Sequence, residues 1–190
     1  LLRVTGEGTA EGSGSICSGE RTGTRTDSIV FENGAGTVSG QAALPEDLTV
    51  ERGETRTVPD RAELTVPAGK TLTVAEGGTL INEGTITVAE GGTVDNYGTV
   101  EAANGTIDND GTWTNRVTGI TLNPASTSLT VGSTAPLTAT VTRGTVTGTT
   151  VGTDEPLTWA SSNSGAATVR ANSTDSATVT AVGAGTAVIT

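Results

Sequence analysis

The chain has 190 residues, 33% of them hydrophobic and 2% aromatic, with 27 glycines and a formal charge of −11. That length allows one or two domains with a modest core in each, and the abundance of Gly, Thr and Val favours strands and tight turns over helices. The charge repels a phosphate backbone, which argues against a nucleic-acid partner, and no apolar run reaches the roughly 20 residues that a membrane-spanning helix needs.

Met is absent even at position 1, so the chain is expected to be processed, excised or part of something longer, and it carries no signal peptide. With no His and one Cys, the usual nucleophile–base pairs and Cys/His zinc sites cannot be assembled. The expectation is a protein that is not an enzyme and takes no cofactor or metal. Cys17 cannot form an internal disulfide and is expected to be a small buried apolar residue.

Residues 1–42 hold strand-like pieces, "LLRVTG", "GSICSG", "DSIVFENG" and "GTVSG", expected to form an irregular N-terminal β segment or cap. From residue 43 to 115 a repeat takes over. "TLTVAEGGTLINEG" at 71–84 is followed by "TITVAEGGTVDNYG" at 85–98 and by a looser copy, "TVEAANGTIDNDG", at 99–111. A unit this short cannot enclose a core alone and must bury its apolar side chains against the next copy, which defines a β-solenoid with repeats of about 14 residues.

Alignment of the copies predicts an inward column of Leu72, Ile86 and Val100, capped by Trp113, and a second of Leu80, Val94 and Ile107. Thr73, Thr87 and Glu101 are expected on one outward face. Gly77–Gly78 and Gly91–Gly92 mark one corner, and Gly84, Gly98 and Gly111 the other, so each coil reads as two strands and two turns. Asn82, Asn96 and Asn109 share one spacing and suggest an asparagine ladder. Residues 40–115 resemble the Val-, Thr- and Gly-rich segments of large surface proteins of Gram-positive and gut bacteria, which implies a location more than an activity.

After Asn115 the beat stops. "VTGITLNPASTSLTVGSTAPLTATVT", "PLTWASSNSGAATV" and "ATVTAVGAGTAVIT" resemble a bacterial immunoglobulin-like domain of the group 2 type. Alternation places Ile120, Leu122, Leu129, Val131, Leu137, Ala139, Val141, Leu157, Trp159, Val169, Val179, Ala187 and Ile189 inward, as two packed antiparallel sheets require. The fold class is thus all-β, a short-repeat solenoid followed by an immunoglobulin-like β-sandwich over 116–190. Residues 142–155, "TRGTVTGTTVGTDE", exceed a tight hairpin and read as an extra ribbon or mobile loop, the first place in this half to look for binding.

Surface chemistry offers few candidates. Asp95 and Asp108, with Glu83, Tyr97 and Asp110 near the same corner, could form a carboxylate cluster, although acidic residues gather in loops by default. "NGT" at 104 and "NST" at 172 match the glycosylation pattern only weakly. The pairs Thr71/Thr73, Thr85/Thr87 and Thr112/Thr114 resemble the ladders of several ice-binding proteins, but Glu101 interrupts them and threonine favours exposed strands anyway.

The resulting expectation is a non-catalytic extracellular structural protein of a bacterial surface or filament, partnered by other copies of itself or by flanking domains. A carbohydrate-binding adhesin that takes cell-surface glycan, and a bacteriophage fibre or capsid-decorating protein, are the alternatives. The group 2 pattern normally continues past "GTAVIT" into one more strand. A gap there would leave an apolar groove beside Val188, and two readings stand side by side: Leu1, Leu2 and Val4 of another subunit fill it by strand addition, or the sequence stops before the last strand.

Overall fold

A computed structural model describes the backbone of residues 15–16, 28–32 and 35–39 and the full residues 41–190. Leu1, Leu2, Val4 and Cys17 lie outside the described residues, so the expectations placed on them have no structural counterpart. The described chain is all-β and contains no helix. It forms two compact units, the first taking residues up to Arg116 and then Arg143–Asp154, the second Val117–Thr142 and Glu155–Thr190.

The first unit opens with β1 (Ser15–Ile16), β2 (Ser28–Glu32) and β3 (Ala35–Ser39), paired antiparallel in sequence. The solenoid then winds through β4 (Gln41–Ala43), β5 (Leu48–Val50) and β6 (Thr55–Val58). Its second coil is β7 (Glu63–Val66), β8 (Thr71–Val74) and β9 (Thr79–Asn82), and its third is β10 (Thr85–Val88), β11 (Thr93–Asn96) and β12 (Thr99–Glu101). A fourth begins with β13 (Thr106–Asn109) and β14 (Thr112–Asn115). All ladders between coils are parallel. The first face stacks β4, β7, β10 and β13; the second stacks β5, β8, β11 and β14; the third stacks β3, β6, β9 and β12.

A coil therefore has three arms, where the repeat had suggested two. The 14-residue unit is one arm with a four-residue corner ("TLTV-AEGG") followed by one arm with a two-residue corner ("TLIN-EG"). Three arms close a turn, so residues stack 22 apart in Glu63 and Thr85, and between 19 (Thr93, Thr112) and 24 (Thr55, Thr79) in the other ladders from β3 to β14. Successive sequence copies consequently fall on different faces. Leu72 stacks on Val94 in the second face, Ile86 on Leu64 in the first, and Val100 on Leu80 in the third. All three are fully buried, but they are not one column.

The corners explain the triangle. Between Asn82 and Thr85 only two residues intervene, a reach of about 10 Å if fully extended. Sheets packed face to face stand about 10 Å apart, which leaves no length for the bend of a two-armed coil. A shallower corner of a three-sided tube needs much less. Inside the tube, Val50, Val58, Leu64, Val66, Leu72, Val74, Leu80, Ile86, Val88, Val94, Val100 and Trp113 are at most 2% exposed while Ile107, at the end of its column, is half-buried, and each fully buried aliphatic side chain contributes about 1.5–3 kcal/mol.

Corner glycines serve two purposes. Gly91 sits at φ +78°, where other residues are strained. Gly98 has no such angle; a Cβ there would press on the Ala75 carbonyl and sit 2.5 Å from the Gly78 carbonyl. It is glycine because the preceding coil runs directly beneath it.

The second unit is built from β15 (Val117–Asn123), β16 (Thr134–Arg143), β19 (Ala167–Ser173) and β20 (Ser176–Ala181), in the antiparallel order β15-β16-β20-β19. The intervening β17 (Thr145–Thr147) and β18 (Thr153–Asp154) belong to the solenoid. Of the residues expected inward in this half, Leu137, Ala139 and Val179 are buried, Ile120 and Val131 are exposed, and the others are half-buried. Outside the four-stranded sheet, regular pairing in this unit is confined to residues 160–162 with 188–190, centred on the Ser161–Ile189 bridge.

Gly53 and Gly98 separate the two roles of corner glycine. Gly98→Ala should cost about 3 kcal/mol by overpacking, whereas Gly53→Ala, at φ +79° with open space around its Cβ, should cost only about 1 kcal/mol of backbone strain. Urea midpoints that rank the two variants the other way would refute the stacked-corner account.

Candidate functional site

The outward threonines do not form one array. On the second face one column holds Thr71, Thr93 and Thr112, and its neighbour holds Thr49, Thr73, Asp95 and Thr114. Thr85 and Thr87 lie on the first face, and Glu101 lies on the third. The third face also begins its strands with Thr55, Thr79 and Thr99. Threonine at the same strand position on every face reflects strand propensity and singles out no surface. Within the second face Asp95 breaks the column and is held by Arg116, with Nη2 and Nε at 2.7 and 2.9 Å from Oδ1.

The carboxylates are likewise dispersed. Asp95 is on β11 and Asp108 on β13, in different faces, while Glu83 and Asp110 occupy different corners. Among the described residues no group of three or more His, Cys, Asp or Glu side chains comes together as a metal site. The predicted cluster dissolves because its residues were aligned on a two-armed coil.

The same geometry reassigns the asparagines. Asn82, Asn96 and Asn109 sit on three different faces and form no ladder. Each ends an arm that a two-residue corner follows, whereas the four-residue corners follow Val50, Val66, Val74 and Val88. Asn96 is fully buried; its Oδ1 accepts the Gly98 amide at 3.1 Å, and its Nδ2 donates to Asn115 Oδ1 at 3.2 Å and to the Thr145 carbonyl at 3.1 Å. Asn82 Nδ2 donates to the Thr106 carbonyl at 2.8 Å. Asn96 thus gives the Gly98 amide a partner within its short corner, whereas the Gly84 amide, in the corner after Asn82, takes the Val58 carbonyl at 3.1 Å.

The segment 142–155, read as an extra ribbon, completes the solenoid instead. β17 pairs with β12 through Thr145–Thr99, Val146–Val100 and Thr147–Glu101, and β18 pairs with β14 through Thr153–Thr114 and Asp154–Asn115. Its Gly-Thr-Val-Thr vocabulary, shared with the repeat, was the available signal.

At the end of the second unit Val188 is 64% exposed. Its carbonyl accepts the Ser162 amide at 2.9 Å, and its own amide donates to Ser162 Oγ at 2.8 Å. Ala160 and Thr190 exchange two hydrogen bonds, of 2.6 and 2.9 Å. Ser161 and Ile189 are thus a non-hydrogen-bonded pair, and in an antiparallel ladder the amide and carbonyl of such a residue point away from its partner. The free edge beside Val188 is presented by Ile189, which the sequence did not single out. The Trp159 indole nitrogen nearby in sequence is buried without a partner.

No family model, curated protein or solved structure matches the chain.

Asn96→Ala strands the Gly98 amide and the Thr145 carbonyl and should cost about 2 kcal/mol, while Asn109→Ala, at an exposed position, should change stability by less than about 0.5 kcal/mol. Chemical denaturation of the two variants checks this; equal losses would restore the ladder.

Proposed function

We propose that the chain is a non-catalytic structural protein of a bacterial surface or filament, in which rigid β modules hold distance and copies join by strand addition. The observation that carries this reading is how the polar side chains are used. Asn82, Asn96, Asn115, Asp95 and Arg116 bind the protein's own backbone or one another, and among the described residues no cluster of three or more His, Cys, Asp or Glu side chains assembles.

The immunoglobulin-like reading of the second unit gains support from strand order. In that sandwich one sheet runs A-B-E-D and the other C-F-G. Taking β15, β16, β19 and β20 as A, B, D and E reproduces the first order. Residues 160–162 and 188–190 then take the places of C and F, and the position of G lies on the open side of Ile189. Aromatic side chains weigh against a sugar-binding adhesin: Trp113 is buried, the indole nitrogen of Trp159 is buried, and Tyr97 is 38% exposed on its own corner.

In this reading Leu1, Leu2 and Val4 of another copy add as a strand beside Ile189, with Leu2 and Val4 on its inward phase. Such a contact is head-to-tail and propagates. Ile189→Pro removes the outward amide at an edge position, where proline is tolerated. Negative-stain microscopy should show filaments for the native chain and folded single particles for the variant. Filaments unchanged by Ile189→Pro would sink strand addition, and a native chain that stays monomeric at high concentration would sink the filament itself.

A further inference from the structure

The solenoid ends on a piece of chain that returns to it. After β14 and Arg116 the sequence leaves for β15 and β16, and only then does Arg143–Asp154 rejoin the first unit. β17 continues the third face and β18 the second, so the last coil is assembled from two separated stretches. The Thr145 amide donates to the Gly98 carbonyl at 2.8 Å and the Ala102 amide to the Thr147 carbonyl at 2.9 Å. Val146 and Val151 pack on the core, and Trp113, at the end of its column, is 2% exposed.

The fit is close at two glycines. A Cβ at Gly152 (φ +75°) would lie 2.6 Å from the Trp113 carbonyl, and one at Gly148 (φ +85°) would lie 2.8 Å from the carbonyl carbon of Ala102. With this segment in place the end of the solenoid is poor at pairing: β17 has three residues and β18 two, and β13 carries Asp108 with Asp110 just beyond it. Very short strands and charged residues are how sheet edges avoid other chains. Without it, β12, β14 and the Trp113 ring would form an open parallel end.

We propose that Arg143–Asp154 is a latch that seals this end of the solenoid and keeps it from pairing with a second copy of the chain. The latch is held by a few short ladders and follows β15 and β16 in sequence, so the end stays open until those strands have been made. This contact is separate from strand addition at Ile189, and the test is run in the Ile189→Pro background so that the two cannot be confused.

In that background Gly148→Val and Gly152→Val should speed amide exchange in Thr145–Thr147 and in Thr99–Glu101 by about a hundredfold. Exchange in β16 and β20 should be unchanged, and light scattering should show concentration-dependent association. Variants that exchange faster in the latch yet remain monomeric would overturn the proposal, as would variants whose latch exchange does not change. A second arm guards against general unfolding. Glu101 and Thr147 are adjacent across the ladder, and neighbouring strands lie about 4.8 Å apart, within disulfide reach. With Cys17→Ser, the Glu101→Cys, Thr147→Cys protein should associate in mild urea when reduced and resist when oxidised. Equal association in the two states would overturn the latch.

Discussion

Everything in the first unit depends on one constraint: each arm must lay its inward side chains on the arm one coil earlier while its corner clears the backbone of that coil. The first demand fixes the residue type at alternate positions, hence Leu64, Ile86 and Ile107 in one ladder and Leu72, Val94 and Trp113 in another. The second fixes glycine where the coils touch, as at Gly98 and Gly111, whose missing Cβ atoms would meet carbonyls of the preceding corner. Strand-to-strand hydrogen bonding follows once these two conditions hold, because a parallel ladder has no freedom to slip without turning every side chain over.

How much of this was legible follows from what a repeat encodes. The alternation of "TLTV" and "TITV" gave strand position and facing correctly, and Leu72, Ile86, Val88, Val94 and Val100 are all buried. What the repeat could not give is the number of arms in a turn. Fourteen residues are two arms of unequal corner, and the chain closes after three, so sequence period and structural period drift apart. Any feature inferred from aligned copies inherits the error, which is why the asparagine ladder, the threonine array and the carboxylate cluster failed together. Features that depend on one strand alone survived. The reach of "EG" between Asn82 and Thr85, too short to cross between facing sheets, was the overlooked clue to the triangle.

The second unit illustrates a different limit. Antiparallel strands were expected here and four of them form a sheet, yet most residues expected inside are only half-buried, and Ile120 and Val131 are exposed. Inward phase is a local property that alternation can reveal. Burial is a property of what packs against a strand from elsewhere in the chain, and sequence periodicity does not report that neighbour. For the same reason it pointed to Val188, whose hydrogen bonds are already used, rather than to Ile189, whose phase on the ladder leaves them free.

A column on the second face shows how the chain marks where its solenoid stops. Val50 stacks on Val74, Val74 on Asn96, Asn96 on Asn115, and Asn115 on Asp154. Along this single line the side chains pass from aliphatic to amide to carboxylate as the end is approached. Valine suits an arm followed by a four-residue corner that satisfies its own backbone, as the Gly78 amide does on the Ala75 carbonyl. Asparagine takes its place where the corner shrinks to Tyr97–Gly98 and its Oδ1 accepts the Gly98 amide. A buried amide has to find partners in the next layer, and Asn96 finds them in Asn115 and in the Thr145 carbonyl. The returning segment meets this line twice, through the Thr145 carbonyl on Asn96 and through Asp154 on Asn115, so the polar turn in the column ties the end of the repeat to the segment that covers it.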